Sequence, residues 1–172
     1  MPIYALGDYE PDIHPDAFVM PEAVIIGRVK IGPEASIWSG AVLRGDDNDI
    51  FVGGGTSIQD NAVLHVTPER STTVGERCTV GHLAHIEGGV VHDEALIGTG
   101  SIVLPDAEIG ERALVAAGAL VPGGMKVPPG TIAVGTPAKV REGVDTAPLI
   151  MPGVQNYLDR RVRYMKELRR LD

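Results

Sequence analysis

An aliphatic residue returns every six positions along most of this chain. Ile13, Val19, Ile25, Ile31, Ile37 and Leu43 are spaced this way. The series resumes at Val52, Ile58 and Leu64, then at Val74, Val80 and Ile86. It returns once more at Val91, Ile97, Val103, Ile109, Val115, Val121, Val127 and Ala133. Four places after most of these stands a small residue, as at Ala35, Ala41, Ala62, Cys78, Ala84, Ala95 and Ala113. Six matches neither the helical period of 3.6 nor the strand period of 2. It fits a solenoid in which each hexad is a short strand and a corner, with the aliphatic side chain inside and the small one beneath the bend.

Composition agrees. Aromatic residues make up only 4% of the chain while glycine contributes 22 residues, too little ring volume for a conventional core and enough turn formers for many corners. A formal net charge of -8 argues against nucleic acid or an anionic membrane as partner. The single cysteine excludes an internal disulfide, and its place in the small-residue slot makes it a packing residue. Met1-Pro2-Ile3-Tyr4-Ala5 lacks a basic segment leading into an apolar one, and no apolar run approaches spanning length, so a cytoplasmic location without membrane association is expected.

The repeat resembles that of the hexapeptide-repeat proteins, whose fold is an all-β, left-handed parallel β-helix with three hexads per triangular coil. That handedness follows from the resemblance. The general preference for right-handed parallel crossovers would suggest the opposite. Residues 1–143 are expected to form the β-helix with a short N-terminal lead-in. Pro148, Pro152 and Gly153 mark a linker over 144–153, and a C-terminal α-helix packing on the β-helix is expected over 154–172. Its apolar stripe reads Val154, Leu158, Val162, Met165 and Leu168.

Three irregularities interrupt the series in its middle third. Leu43 to Val52 carries three extra residues around 45–49, Leu64 to Val74 carries four around 67–71, and Ile86 to Val91 is one short. Loops set into a regular scaffold are common carriers of function. They surround Gly81-His82-Leu83-Ala84-His85-Ile86-Glu87, where three potential ligands fall within six residues. With three hexads per coil, Leu43, Leu64 and Ile86 stack about 4.8 Å apart. Arg44, His65 and Glu87 then share one outward column, and His85 stands above Val63. Ile58 lies under Val80, which puts Asp60 beneath His82 on another face. His65 and Glu87 can hold one ion together, whereas His82 reaches such an ion only on a neighbouring subunit. A cyclic homotrimer would supply three shared sites.

Leu43-Arg44-Gly45-Asp46, Ile58-Gln59-Asp60-Asn61, Leu64-His65, Val80-Gly81-His82, Ala95-Leu96-Ile97-Gly98 and Gly135-Thr136-Pro137-Ala138-Lys139 resemble, in order and spacing, the γ-class carbonic anhydrase-like proteins. The resemblance implies a Zn2+ or Fe2+ ion at a trimer interface, held by three histidines, two from one subunit and one from the next. Two of them map onto His65 and His82. The third position holds Glu87, with His85 two residues before it. Three readings stand: Glu87 is the third ligand, His85 takes its place, or no metal is bound. Two histidines and one glutamate make an accepted zinc or ferrous shell. The implied chemistry is attack of a metal-bound hydroxide on CO2 or a related small electrophile, with CO2 and bicarbonate as substrate and product. An anionic ligand makes the ion a weaker Lewis acid, so weaker hydration at neutral pH is expected. By the same resemblance Gln59 orients nucleophile or substrate, Asp60 holds His82, and Arg44 and Asp46 form an ion pair at the trimer contact. Asp47 and Glu69 are the candidate proton shuttles, and Tyr157 or Tyr164 of the terminal helix the aromatic residue that reaches the site. Trp38 is expected to be buried at the subunit interface. His14 and His92 read as ordinary surface residues. Two other functions share this scaffold: a hexapeptide-repeat acyl- or acetyltransferase, and a non-catalytic trimeric binding protein.

Overall fold

Each hexad forms a strand of two or three residues followed by a turn, as in Ser57–Ile58, Thr79–Val80 and Leu96–Ile97. The computed structural model describes residues 2–172. The strands stack in parallel into three columns, and the columns are the faces of a triangular prism, a left-handed parallel β-helix. The first face aligns Ile25, Leu43, Leu64, Ile86, Val103 and Val121. The second aligns Ile31, Val52, Val74, Val91, Ile109 and Val127. The third aligns Val19, Ile37, Ile58, Val80, Ile97, Val115 and Ala133. These aliphatic side chains and the small corner residues fill the interior as one continuous core. The coil ends where Lys139–Arg141 turns back antiparallel to Ile132–Val134.

Two geometric demands of the coil explain the sequence pattern. The third residue after most of the inward aliphatic ones turns the corner with positive φ. Glycine takes that place at Gly40, Gly100 and Gly118, and ordinary residues such as Asn61 and Leu83 take it elsewhere. Stacking across the ladder outweighs the cost of about 1 kcal/mol for such a residue. The glycine that directly follows many aliphatic residues has a different cause. A Cβ on Gly98 would stand 2.5 Å from the backbone nitrogen of Ala117 in the next coil, and one on Gly81 2.7 Å from that of Thr99. Only a bare backbone lets neighbouring coils close to hydrogen-bonding distance there.

The first irregularity is absorbed by two long bent strands, Val24–Ile31 and Val42–Val52, which pair across a corner. Gly27 pairs with Gly45 and Val29 with Ile50, so Asp46–Asp49 bulge outward opposite a single residue. At the second, the chain reverses on itself between Thr67 and Arg70.

The C-terminal helix spans Ala147–Glu167 and so begins within the segment expected as a linker. Pro148 lies in its first turn, where a missing N–H costs nothing and the fixed φ favours the helix. Pro152 is accommodated inside it. The packing stripe also differs from the expected one. Val162, Met165 and Leu168 are exposed, whereas Ile150, Val154 and Arg161 are buried. The helix lies on the third face through a ring cluster. Trp38 is 5.4 Å from Tyr157 and 5.1 Å from Tyr164 between ring centres, and Phe18 touches Trp38 and Tyr164. Trp38 is therefore covered by its own chain's helix, not left for a subunit interface. Its indole N–H donates to Ser36 and Ser57. Arg161 donates to the Asp16 carbonyl at 2.7 Å and to Glu34 at 3.2 Å, which secures the helix on the prism. An aliphatic count overlooks this stripe because Arg161, Tyr157 and Tyr164 belong to it. Among the described residues, no helix is long and apolar enough to cross a membrane.

Candidate metal centre

The register places His65 beside Arg44 below and Glu87 above, on the outside of the first face. His65 and Glu87 project from three-residue strands paired in register, so their spacing is fixed by the ladder. His65 Nδ1 lies 2.8 Å from Glu87 Oε1, and its Nε2 lies 3.1 Å from Asp46 Oδ1. Asp46 also pairs with Arg44 through its other oxygen. His85 Nε2 is 3.9 Å from Glu87 Oε2. One surface thus assembles Arg44, Asp46, His65, His85 and Glu87. The His65 side chain is the most sheltered of them, 18% exposed.

The Asp46 contact to His65 is additional to the ion pair read from the sequence. Its source is the bulge at Gly27–Gly45, which turns the aspartate back over the histidine. Burial works against a charged Asp46. Its own backbone N–H, the Arg44 guanidinium, the hydrogen bond to His65 and the Asp47 N–H outweigh that, and the carboxyl sits below its ordinary value.

His82 stands round the corner, in the turn between Thr79–Val80 and His85–Glu87. Its Nδ1 is 2.9 Å from Asp60 Oδ2, one coil below. Its Nε2 is 3.4 Å from the Tyr157 hydroxyl, so Tyr157 rather than Tyr164 is the helical tyrosine that reaches this histidine. Burial raises the Tyr157 pKa, with Asp60 adding to the effect and Arg160 opposing it. Gln59 is buried on the third face, beside the Trp38 and Gly81 positions. Asp47 and Glu69 are exposed at their loop tips. His14 and His92 pair with Asp16 and Glu108 at the surface, away from these residues.

The donor chemistry of His65 and Glu87, one imidazole and one carboxylate side by side and partly exposed, suits a zinc or ferrous ion. Within one chain it supplies two adjacent donors. Among the described residues no group of three or more His, Cys, Asp or Glu is arranged to hold an ion. His82, with Nδ1 facing a carboxylate, keeps Nε2 on its outer side. Oxygen and nitrogen donors are thus distributed over two separate edges of the prism.

The family model for the bacterial transferase hexapeptide (six repeats) matches residues 10–45. The mitochondrial gamma carbonic anhydrase 2 of Arabidopsis thaliana is 44% identical over 138 residues, which cover 77% of this chain and 50% of the plant protein. The chain thus spans about half the length of that relative. A carbonic anhydrase of Geobacillus kaustophilus is 40% identical over 80% of this chain and 76% of its own length. Among solved structures, a hexapeptide transferase family protein from Anaplasma phagocytophilum superposes with a TM-score of 0.90. It is 35% identical, with 95% of this chain and 98% of that one covered. With that identity over most of a bacterial relative, and with the coil register that the matching motifs require, this chain belongs to the γ-class carbonic anhydrase-like family of hexapeptide-repeat, left-handed β-helix proteins.

Proposed function

We propose that the protein is a trimeric, metal-dependent hydratase acting on CO2 or a related small electrophile, with each metal held by His65 and Glu87 of one subunit and His82 of the next. The observation that carries this reading is the contact of His65 with Glu87 across the ladder, while His82 is turned to a different edge and oriented by Asp60. A pair of donors on one edge and a single donor on another is what a site shared around a three-fold axis needs. His85, 3.9 Å from Glu87, is the substitute ligand if the carboxylate stays bonded to His65.

A zinc or ferrous ion bound there would supply Lewis acidity, polarising the substrate and bringing a water pKa towards neutrality. The chain's own residues prepare the site. Asp60 accepts the Nδ1 proton of His82 and so fixes the tautomer whose Nε2 carries the lone pair, which a metal would take in place of the Tyr157 hydroxyl. Arg44 holds Asp46, and Asp46 in turn holds the His65 ring in the outward column. Gln59 offers an amide for orienting nucleophile or substrate. The relatives named carbonic anhydrase support this reading.

The test is metal content together with CO2 hydration, for the wild type and for His65→Ala. The reading expects about one metal per subunit and loss of metal and hydration in the variant. A protein with no metal from any preparation, indifferent to His65→Ala, would sink it. The likeness to a hexapeptide transferase family protein keeps a second reading, an acyltransferase. Saturable acetyl-CoA binding without CO2 hydration would favour that instead.

A further inference from the structure

Thr72 occupies the inward corner slot that half of the hexads fill with alanine. The inward residue two places before the aliphatic one is alanine at Ala35, Ala62, Ala84 and Ala95, for example, whereas the corner of Thr72 carries Val29, Ile50, Thr72, Gly89, Ala107 and Met125 up the stack, and Thr72 is its one hydroxyl. This is the corner where two irregularities meet. The 67–71 loop leaves the coil just before it, and the shortened coil above crosses it with Gly88 and Gly89. Thr72 is fully buried. Its hydroxyl donates to the His65 carbonyl and accepts from the Gly88 N–H at 2.8 Å. The direct backbone bond between those two groups is long, 3.4 Å. His65 and Glu87 are register partners, and beyond them the two strands part. A single hydroxyl therefore ties the ends of the strands that present the two side chains.

We propose that Thr72 is a positioning residue for the metal site, clamping His65 and Glu87 at the separation a shared ion requires. The proposal rests on the reading of those two residues as ligands. An alanine here would leave a buried carbonyl and a buried N–H short of a partner where the ladder is weakest. In the shortened coil above, glycine stands in the corresponding slot at Gly89.

The chain contains its own control. Thr56, also fully buried, donates to the Gly75 carbonyl at 2.6 Å and accepts from the Cys78 N–H at 2.9 Å, at a corner between the second and third faces. A merely structural hydroxyl bridge predicts equal consequences at both places.

Co2+ titration of the full-length metal-free protein, with thermal unfolding alongside, compares Thr72→Val, Thr72→Ser and Thr56→Val. The clamp predicts that Thr72→Val weakens cobalt binding roughly tenfold or more, the range for residues that orient metal ligands. Thr72→Ser restores the affinity, and Thr56→Val keeps wild-type affinity while losing comparable thermal stability. Equal affinity in Thr72→Val and Thr56→Val overturns the proposal. Crystals of metal-free wild type and Thr72→Val separate its failure from that of the metal reading. If the wild type binds no cobalt but the His65–Glu87 contact is lost in Thr72→Val, the ligand assignment falls and the clamp stands. If that contact persists unchanged in Thr72→Val, the clamp falls.

Discussion

His65 Nδ1 and Glu87 Oε1 stand 2.8 Å apart because their strands are consecutive rungs of one ladder. A carboxylate at this position brings a full negative charge to the donor set where an imidazole would bring none. On the proposed function, Glu87→His removes that charge and strengthens the Lewis acidity of a bound ion. The pH midpoint of CO2 hydration should fall by about one unit, with roughly tenfold more activity at pH 7. Stopped-flow hydration between pH 6 and 9 measures both. A midpoint that stays put or rises in the variant would show that Glu87 is not a ligand.

His82 and Asp60 belong to a different edge of the prism from His65, 2.9 Å from each other. If each site draws on two subunits, His65→Ala and His82→Ala are each inactive but complementary. In trimers assembled from an equal mixture, a given interface receives an intact His65 and an intact His82 about one time in four. Refolding the two variants together should therefore restore roughly a quarter of wild-type hydration. Refolding each alone should restore none. No recovery in mixed trimers of confirmed composition would place all ligands in one chain.

The coil was legible in the sequence because period six fits neither a helix nor an ordinary strand run, while its hand follows only from the family resemblance. The register that follows from it placed Glu87 over His65, His85 over Val63 and Val80 over Ile58, as the ladders have them. The rest lies where periodicity stops. Asp46 reaches His65 only through a bulge, and no residue count gives the direction of a bulge. The packing face of the helix is invisible to an aliphatic pattern because Tyr157, Arg161 and Tyr164 bury rings and an aliphatic stem under polar names. The cover of Trp38 is hidden for the same reason, since it comes from a segment more than a hundred residues away in the chain. Thr72 sits in a slot where alanine and threonine look equally small, and its two hydrogen bonds have no sequence signature.

Cys78 is buried at an inward corner, and that burial pushes its thiol up to about 12. Its ordinary value is 9.0. The folded state thus keeps a proton that the unfolded chain releases as pH rises past 9. The stabilising contribution is fully present below that value and is lost progressively towards pH 12. Base titration of unfolding should show a fall in stability over this window that Cys78→Ala reduces. At pH 7.5 a thiol reagent should modify the native protein only at the rate of global opening, and denaturant should expose one thiol per chain. Rapid modification of the folded protein would show that this corner opens on its own.

Gly98 and Gly118 are both glycines of the coil, for opposite reasons. Gly118 has φ +66 and open space around it, so its demand is conformational. A Cβ on Gly98 would stand 2.5 Å from the Ala117 nitrogen, so its demand is steric. Asparagine distinguishes the two, because it tolerates the left-handed region yet carries a Cβ. Gly118→Ala should cost about 1 kcal/mol and Gly118→Asn less, in keeping with Asn61 at the same corner position of another coil. Gly98→Ala and Gly98→Asn should both cost about 1–3 kcal/mol or more, since the clash falls on backbone that cannot move without parting two coils. Urea unfolding of the four variants gives the comparison. A Gly98→Asn protein as stable as Gly118→Asn would mean that the coils separate easily, and the ladder that holds His65 against Glu87 would then be softer than the stacking implies.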